Sequence, residues 1–410
     1  MKLLISLAIM VAGPVTALPL HLDLEMTSEE YRTLLLSQPK TTRPDDPAIT
    51  EALKMGERLS KWIEKINSSR APENAIRLTS AQTRRGIPIE RPNKYSPSII
   101  QTETISLLAD IPAEMKSVLT SSGSLPEEMA MTDEMFITHA RRVDRNYQSA
   151  ARFKSVDQYR SSYIIAADED VRGFYYLMKN KITETELRDV GAYSSTQLSE
   201  IKDALVMVCT NGIHHQKKCK TQLEEATRTN SLAEFYQKYI EGSRRVWNGF
   251  FRIPPGAKRT DAKWAGTGLT VPFNTPEIPK FGPYLKDNVE DEFRWTGWGL
   301  KINMGRFPKG PYLKFEPGVV PHVNKLGGNQ IVMDSNQPIE EYESQWTIRH
   351  EFGHVLGLPD CYHEFYDVDA KAYVNYQLDI TDLMCSRAGN MNERIYLELK
   401  KAYAKGSPLL

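Results

Sequence analysis

The stretch RHEFGHVLGLPD (Arg349–Asp360) holds the residues whose types and spacing could do chemistry. His350, Glu351 and His354 read H-E-x-x-H, and on a helix a separation of four residues puts both imidazoles on one face. Each ring can then offer a neutral nitrogen to one Zn²⁺, while Glu351, beside the first ligand, can take a proton from water at the metal. Gly357 can adopt positive φ, which a helix needs in order to stop and double back. Pro359 cannot continue the helix, and Asp360 then arrives from outside it as a candidate third ligand. Two surface histidines on an ordinary helix, or a structural zinc, would use the same motif. Structural sites usually close the fourth position with another Cys or His, whereas this pattern leaves it open.

The extended pattern H-E-x-x-H-x-x-G-x-x-D resembles the metzincin zinc proteases, whose motif ends in His and is followed by a Met-turn. With Asp in the third position it is most similar to the small secreted snapalysin-type branch. Downstream, DITDLMCS places Met384 where that resemblance expects the Met-turn, an apolar floor beneath the metal. The resemblance implies an α+β catalytic domain with a twisted mixed sheet, an active-site helix, the Met-turn and a C-terminal helix. It also implies a zinc endopeptidase in which His350, His354 and Asp360 hold one catalytic Zn²⁺ and Glu351 is the general base. The implied partner is a protein or peptide substrate, bound extended along a sheet edge by strand addition. NQIVMDS (Asn329–Ser335), or the strand before it, is the candidate edge. Some metzincins carry an oxyanion-stabilising Tyr two residues after the Met; here that place is Ser386, and Tyr362 and Tyr366, the nearby tyrosines, read as packing. A thermolysin-like enzyme would instead take its third ligand from a Glu roughly twenty residues beyond the second His. Val374 falls near that place, and Asp379, Asp382 and His363 are rivals whose spacing fits less well than that of Asp360.

The elements that must position these residues belong to a chain of 410 residues, 40% hydrophobic and 25% charged. That length suggests two domains, or one with a long extension. Its 52 basic and 52 acidic side chains cancel, which gives no electrostatic case for nucleic acid or an anionic membrane surface. Residues 1–17, with Lys2, a short apolar run and small residues at the end, read as a secretory signal peptide. No later stretch has the about 18 apolar residues of a membrane span. The expected location is therefore extracytoplasmic, secreted or periplasmic. There the four cysteines would be oxidised. Three pairings are open, and the positions favour Cys209–Cys219 with Cys361–Cys385. The second bond would tie the segment after Asp360 to that of Met384. His214 and His215, inside the first loop, leave a Cys/His zinc site as the alternative there.

Residues 18–250 read as a mainly helical pro-region or accessory domain. Capping-box patterns occur at Thr27/Glu30, Ser124/Glu127, Ser155/Gln158, Thr183/Glu186 and Ser231/Glu234. Thr79–Ser98 has the composition of a loop. No Cys precedes Cys209, which excludes a cysteine-switch pro-region. Pro, Gly and charges cluster at Arg252–Lys263 and mark a boundary, so that 251–410 is the expected zinc metalloprotease domain. Within it GTGLTVPF, TGWGLKINM, PYLKFEPGVV and NQIVMDS read as short strands. The metal helix is expected at about Pro338–Gly357 and a final helix at about Asn392–Lys405. The acidic stretches Asp287–Glu292 and Tyr366–Asp369 offer oxygens suited to Ca²⁺, but without EF-hand spacing a solvated face is the plainer reading. The other class of function the sequence allows is an exported binding or structural protein with a non-catalytic zinc site.

Overall fold

The first helix among the described residues starts on Asp46, whose carboxylate accepts the Ala48 N–H at 2.9 Å, with Pro47 at the first helical position. The computed structural model describes residues 46–404 apart from 72–73, 79–92 and 338–341. The signal-peptide segment, the Thr27/Glu30 pattern, most of Thr79–Ser98 and Pro338 lie outside the described residues.

The fold is α+β, with helices filling the first half and short strands grouped mainly in the second. A first bundle combines α1 (Pro47–Ser68), α2 (Pro97–Asp110), α3 (Ala113–Thr120) and α4 (Asp133–Asp157). Its core joins Leu59, Trp62 and Ile66 to Met115, Leu119 and Phe136, with the Trp62 and Phe136 rings edge-on at 4.9 Å. Then follow α5 (Arg160–Asp168), α6 (Arg172–Lys179), α7 (Glu184–Arg188), α8 (Ser195–Ile213), α9 (Gln216–Arg228) and α10 (Leu232–Phe251). Most of α6 to α10 closes a second core around Leu177, Leu205, Val208 and Tyr239. The β1 strand (Asn93–Tyr95) also comes from this half.

Beyond it the apolar residues alternate, and the alternation makes sheet. In β3 (Gly268–Asn274) Leu269, Val271 and Phe273 are buried, and in β5 (Trp298–Gly305) Trp298, Leu300 and Ile302 are. With β2 (Lys263–Ala265) and β4 (Arg294–Trp295) they form a sheet of order β2-β3-β5-β4, in which β3 and β5 run parallel. Parallel strands need a crossover, and α11 (Phe281–Glu292) lies in that connection. A second sheet has order β6-β8-β7, from Tyr312–Glu316, Gln330–Asp334 and His322–Val323 respectively. The central strand β8, which lies within NQIVMDS, is therefore flanked on both sides, and β6 and the short antiparallel β7 are the two edges.

The helix α12 (Tyr342–Val355) lays Ile348, Phe352 and Val355 into the main core, where the Phe352 ring lies 6.0 Å from both Phe273 and Phe293. Emptying such a position costs about 3–5 kcal/mol. A hairpin of β9 (Tyr362–Asp367) and β10 (Ala372–Gln377) follows, and β1 pairs antiparallel with β10 to complete a sheet of order β1-β10-β9. The last helix, α13 (Glu393–Tyr403), starts where the Asn392 side chain accepts the Ile395 N–H at 3.0 Å. Val171, from the helical half, belongs to the same buried core as Leu269 and Phe352. Much of Arg252–Lys263 is likewise anchored. Arg252 pairs with Glu398 at 2.6 Å, Arg259 with Asp261 at 2.6 Å, and Ile253, Ala257 and Arg259 are buried.

Candidate metal centre

The helix α12 has two working faces. Ile348, Phe352 and Val355 serve the core, while His350, Glu351 and His354, all buried, form a group able to hold a metal ion. His350 Nδ1 lies 2.8 Å from the Leu383 carbonyl, and His354 Nδ1 lies 2.8 Å from the Leu358 carbonyl. A carbonyl only accepts, so each Nδ1 donates, which leaves Nε2 as the nitrogen that can face a metal. Asp360 Oδ1 is 3.0 Å from His350 Nε2 and 3.2 Å from His354 Nε2. Ligand atoms on a tetrahedral ion at about 2.0–2.1 Å sit about 3.3 Å apart, so these spacings suit one shared ion.

Two carboxylate oxygens support the fit. Among the described residues neither Glu351 Oε2 nor Asp360 Oδ1, both buried atoms, has a hydrogen-bond partner. Such atoms are costly to bury alone, and a cation between them removes the cost. Burial pushes the Glu351 carboxyl up, only partly offset by His354 and His350. Burial alone would lower the His354 imidazole, but the Asp360 carboxylate raises it to about 9. Burial would equally raise the Asp360 carboxyl, yet the two imidazoles hold it well below the usual carboxylate range.

Local folding explains the delivery of Asp360. Gly357 sits at φ +87°, the Leu358 N–H returns to the Gly353 carbonyl at 3.0 Å, and the Gly357 N–H to the His354 carbonyl at 2.9 Å. These are the paired bonds of a Schellman cap. The cap turns the Leu358 carbonyl onto His354 Nδ1 and sends Asp360 back across the helix. The stop is packed from outside, because a Cβ at Gly357 would meet the Ala257 carbonyl oxygen at 2.7 Å.

Met384 is fully buried against the helix, with its Sδ 2.3 Å from where a Cβ of Gly353 would stand. Gly353, an unspecified position of the motif, is thus the residue that makes room for the thioether, and sequence reasoning missed it. Asp382 orders the turn around Met384: it accepts the Met384 N–H at 2.9 Å and the Asn392 side-chain amide at 2.6 Å, and it pairs with Arg394 at 2.7 Å. Asp379 accepts the Thr381 N–H at 2.9 Å and the Tyr175 hydroxyl at 3.1 Å. Both rival acids therefore serve protein donors. His363, buried, has its Nε2 3.9 Å from Asp170, and Val374 lies on β10. Tyr366 packs against Tyr373 in the hairpin, at 5.0 Å between centroids. The Ser386 N–H donates to the Asp382 carbonyl at 3.0 Å.

Both disulfides are formed, Cys209–Cys219 and Cys361–Cys385, and no Cys is free among the described residues. The Cys361 N–H also donates to the Met384 carbonyl at 3.1 Å, so the segments carrying Asp360 and Met384 are joined twice. A Cys/His zinc site at the first pair is ruled out, because its sulfurs bond each other. Three of the candidate Ca²⁺ acids are engaged as well. Glu290 accepts the Ile302 N–H at 2.8 Å, Glu292 pairs with Arg349 at 3.0 Å, and Asp367 accepts the Ala370 N–H at 3.0 Å.

Among the described residues no helix is long and apolar enough to cross a membrane. No family model matches the chain, and neither a curated protein nor a solved structure matches it. Fold and site together define an α+β protein with a buried His–Glu–His group that could hold a metal ion.

Proposed function

We propose that the protein is an exported zinc endopeptidase of metzincin type with an aspartate as third ligand. Residues 1–17 would be its signal peptide and 251–410 its catalytic part. The observation that carries the reading is the convergence of His350 Nε2 and His354 Nε2 on Asp360 Oδ1, with the partnerless Glu351 Oε2 in the same group. When bound, Zn²⁺ supplies Lewis acidity that polarises the scissile carbonyl and makes water easier to deprotonate.

The chain's own residues do the rest. His350 and His354 bind through Nε2 while their Nδ1–H groups are anchored to carbonyls, which fixes tautomer and ring orientation. Asp360 adds an anionic donor from beyond the cap. Glu351, whose proton affinity burial increases, takes the proton of the attacking water and passes it to the leaving amine as the C–N bond breaks. Met384 closes the apolar floor. An edge of this sheet, β6 or β7, is the place for an extended peptide backbone, since β8 is already paired on both sides.

The test is cleavage of an unfolded protein substrate by wild type and by Glu351→Ala, with zinc content measured on both. The wild type should cleave, and the variant should keep its zinc while losing about 10²–10⁴-fold in rate. A zinc-loaded wild type that cleaves nothing, or a variant as active as wild type, would leave the non-catalytic zinc protein as the answer.

A further inference from the structure

The hairpin that follows Asp360 is gripped by the helical half on both faces and along one edge. At the edge, β1 pairs with β10, Tyr95 opposite Tyr373. Alternate residues of β9 face opposite ways. On one face Glu364 pairs with Arg152 of α4, whose Nε lies 3.1 Å from the carboxylate, and the Arg160 guanidinium lies 4.7 Å over the Tyr366 ring. On the other face Arg172 lies 5.7 Å over Phe365.

Tyr362 joins this grip to the candidate centre. It is the first residue of β9, two residues after Asp360. Its ring stacks on His350, with centroids 6.4 Å apart and planes at 18°. Its hydroxyl lies within hydrogen-bonding reach of the Asp360 carboxylate. The guanidinium of Arg152 lies 5.8 Å from the same ring. One tyrosine therefore touches two of the three proposed ligands, and one arginine from the other half of the chain touches that tyrosine.

We infer that Tyr362 is a positioning residue that holds Asp360 and His350 in ligand geometry, with Arg152 bracing it, so that the helical half is a permanent working part of the metal centre. This rests on the zinc reading above. It also gives residues 46–250 a role other than cover: they order the strand that sets the third ligand. Partners that orient metal ligands commonly change affinity about 10- to 100-fold when removed.

The test uses the full-length chain and reads Zn²⁺ affinity by competition with a chromophoric chelator, together with the visible spectrum of the Co²⁺-loaded protein. Tyr362→Phe keeps the stack and drops the hydroxyl; it should weaken Zn²⁺ binding about 10- to 100-fold and shift the Co²⁺ bands. Arg152→Met should weaken binding about tenfold, with partial recovery in Arg152→Lys. Arg142→Met, which breaks an ion pair with Asp110 within the helical half, should change neither readout. Where Arg152→Met does not fold, Glu364→Gln releases Arg152 with little change of shape and takes its place. Wild-type affinity and an unchanged Co²⁺ spectrum in both Tyr362→Phe and Arg152→Met would overturn the positioning role alone. A loss in Arg142→Met equal to that in Arg152→Met would overturn it too. A wild type that takes up no Zn²⁺ would remove the metal reading and this inference together.

Discussion

His214 and His215 lie between Cys209 and Cys219, and His350 and His354 lie just ahead of Cys361, so the chain contains two histidine pairs beside two disulfides. The first pair is adjacent. His214 ends α8 at φ 49°, and His215 starts α9 with its Nδ1 accepting the Lys218 N–H at 3.2 Å. A ring nitrogen that caps a helix is not available to a metal. In the second pair each Nδ1 donates to a carbonyl instead, and both Nε2 atoms meet one carboxylate. Residue type and nearby sulfur are alike in the two regions. What separates them is the direction of the ring hydrogen bond at His215 and the carboxylate that only the second pair shares.

Breaking the contrast starts with metal analysis of dialysed protein. His354→Ala should lose stoichiometric zinc, while His214→Ala and His215→Ala keep it; equal loss at both pairs would erase the distinction. The disulfides give the next comparison. Replacing either pair by Ser should cost about 3 kcal/mol in urea unfolding, from loops of 10 and 24 residues. Only loss of Cys361–Cys385 should also weaken zinc binding, and an equal effect from the other pair would count against the link between that bond and the centre.

A fifth buried histidine, outside both pairs, sharpens the comparison. Burial pushes the His363 imidazole down to about 4, against an ordinary value near 6.5. Between those values the unfolded chain binds more protons, so stability is full above about pH 6.5 and falls toward pH 4, by up to about 3 kcal/mol. His363→Leu should flatten that acid limb, and unfolding curves at pH 7.5 and 5 that change equally in both proteins would contradict it. The smallest expected effect is at Gly353→Ala. Its Cβ would stand 2.3 Å from Met384 Sδ, and overpacking of this kind costs about 1–3 kcal/mol. Adding Met384→Ala should recover part of it in thermal unfolding.

The sequence made the proposed ligands legible because their signals are local: helix period for His350 and His354, a glycine stop before Asp360. The strands β6 and β8 fall inside the stretches read as strands, and β3 and β5 pass the ends of theirs by one residue, for the same reason. The β9–β10 hairpin gave no such signal. Its connection, Val368–Lys371, contains no Gly, Pro or Asn, and the residue at positive φ is Lys371. The helix α11 was hidden by acids that look solvated, although Glu292 is buried against Arg349. β1 depends on a partner in the other half of the chain, which no local pattern records. Capping patterns were an uneven guide. Thr183/Glu186 forms the full reciprocal box, and so does Ser194/Gln197, which was not singled out. Ser155 sits instead in the last turn of α4, its hydroxyl donating to the Arg152 carbonyl at 2.9 Å, and Ser124 precedes no helix. Tyr362 and the Leu383 carbonyl were out of reach because tertiary packing alone brings them to the histidines.

The packing of Ala257 decides where a protease could open this chain. Its carbonyl oxygen would lie 2.1 Å from a Cβ at Gly327 and 2.7 Å from one at Gly357, and the Gly327 N–H donates to the His354 carbonyl at 2.7 Å. Three backbones therefore meet where only glycine fits. Pro254, Pro255 and Gly256 are exposed between the buried Ile253 and Ala257, a tip too short to be drawn out into an extended stretch without lifting Ala257 from its seat. The segment whose composition most resembles a cleavable hinge is thus a bolt, and maturation by cutting there would require the end of α12 to let go first.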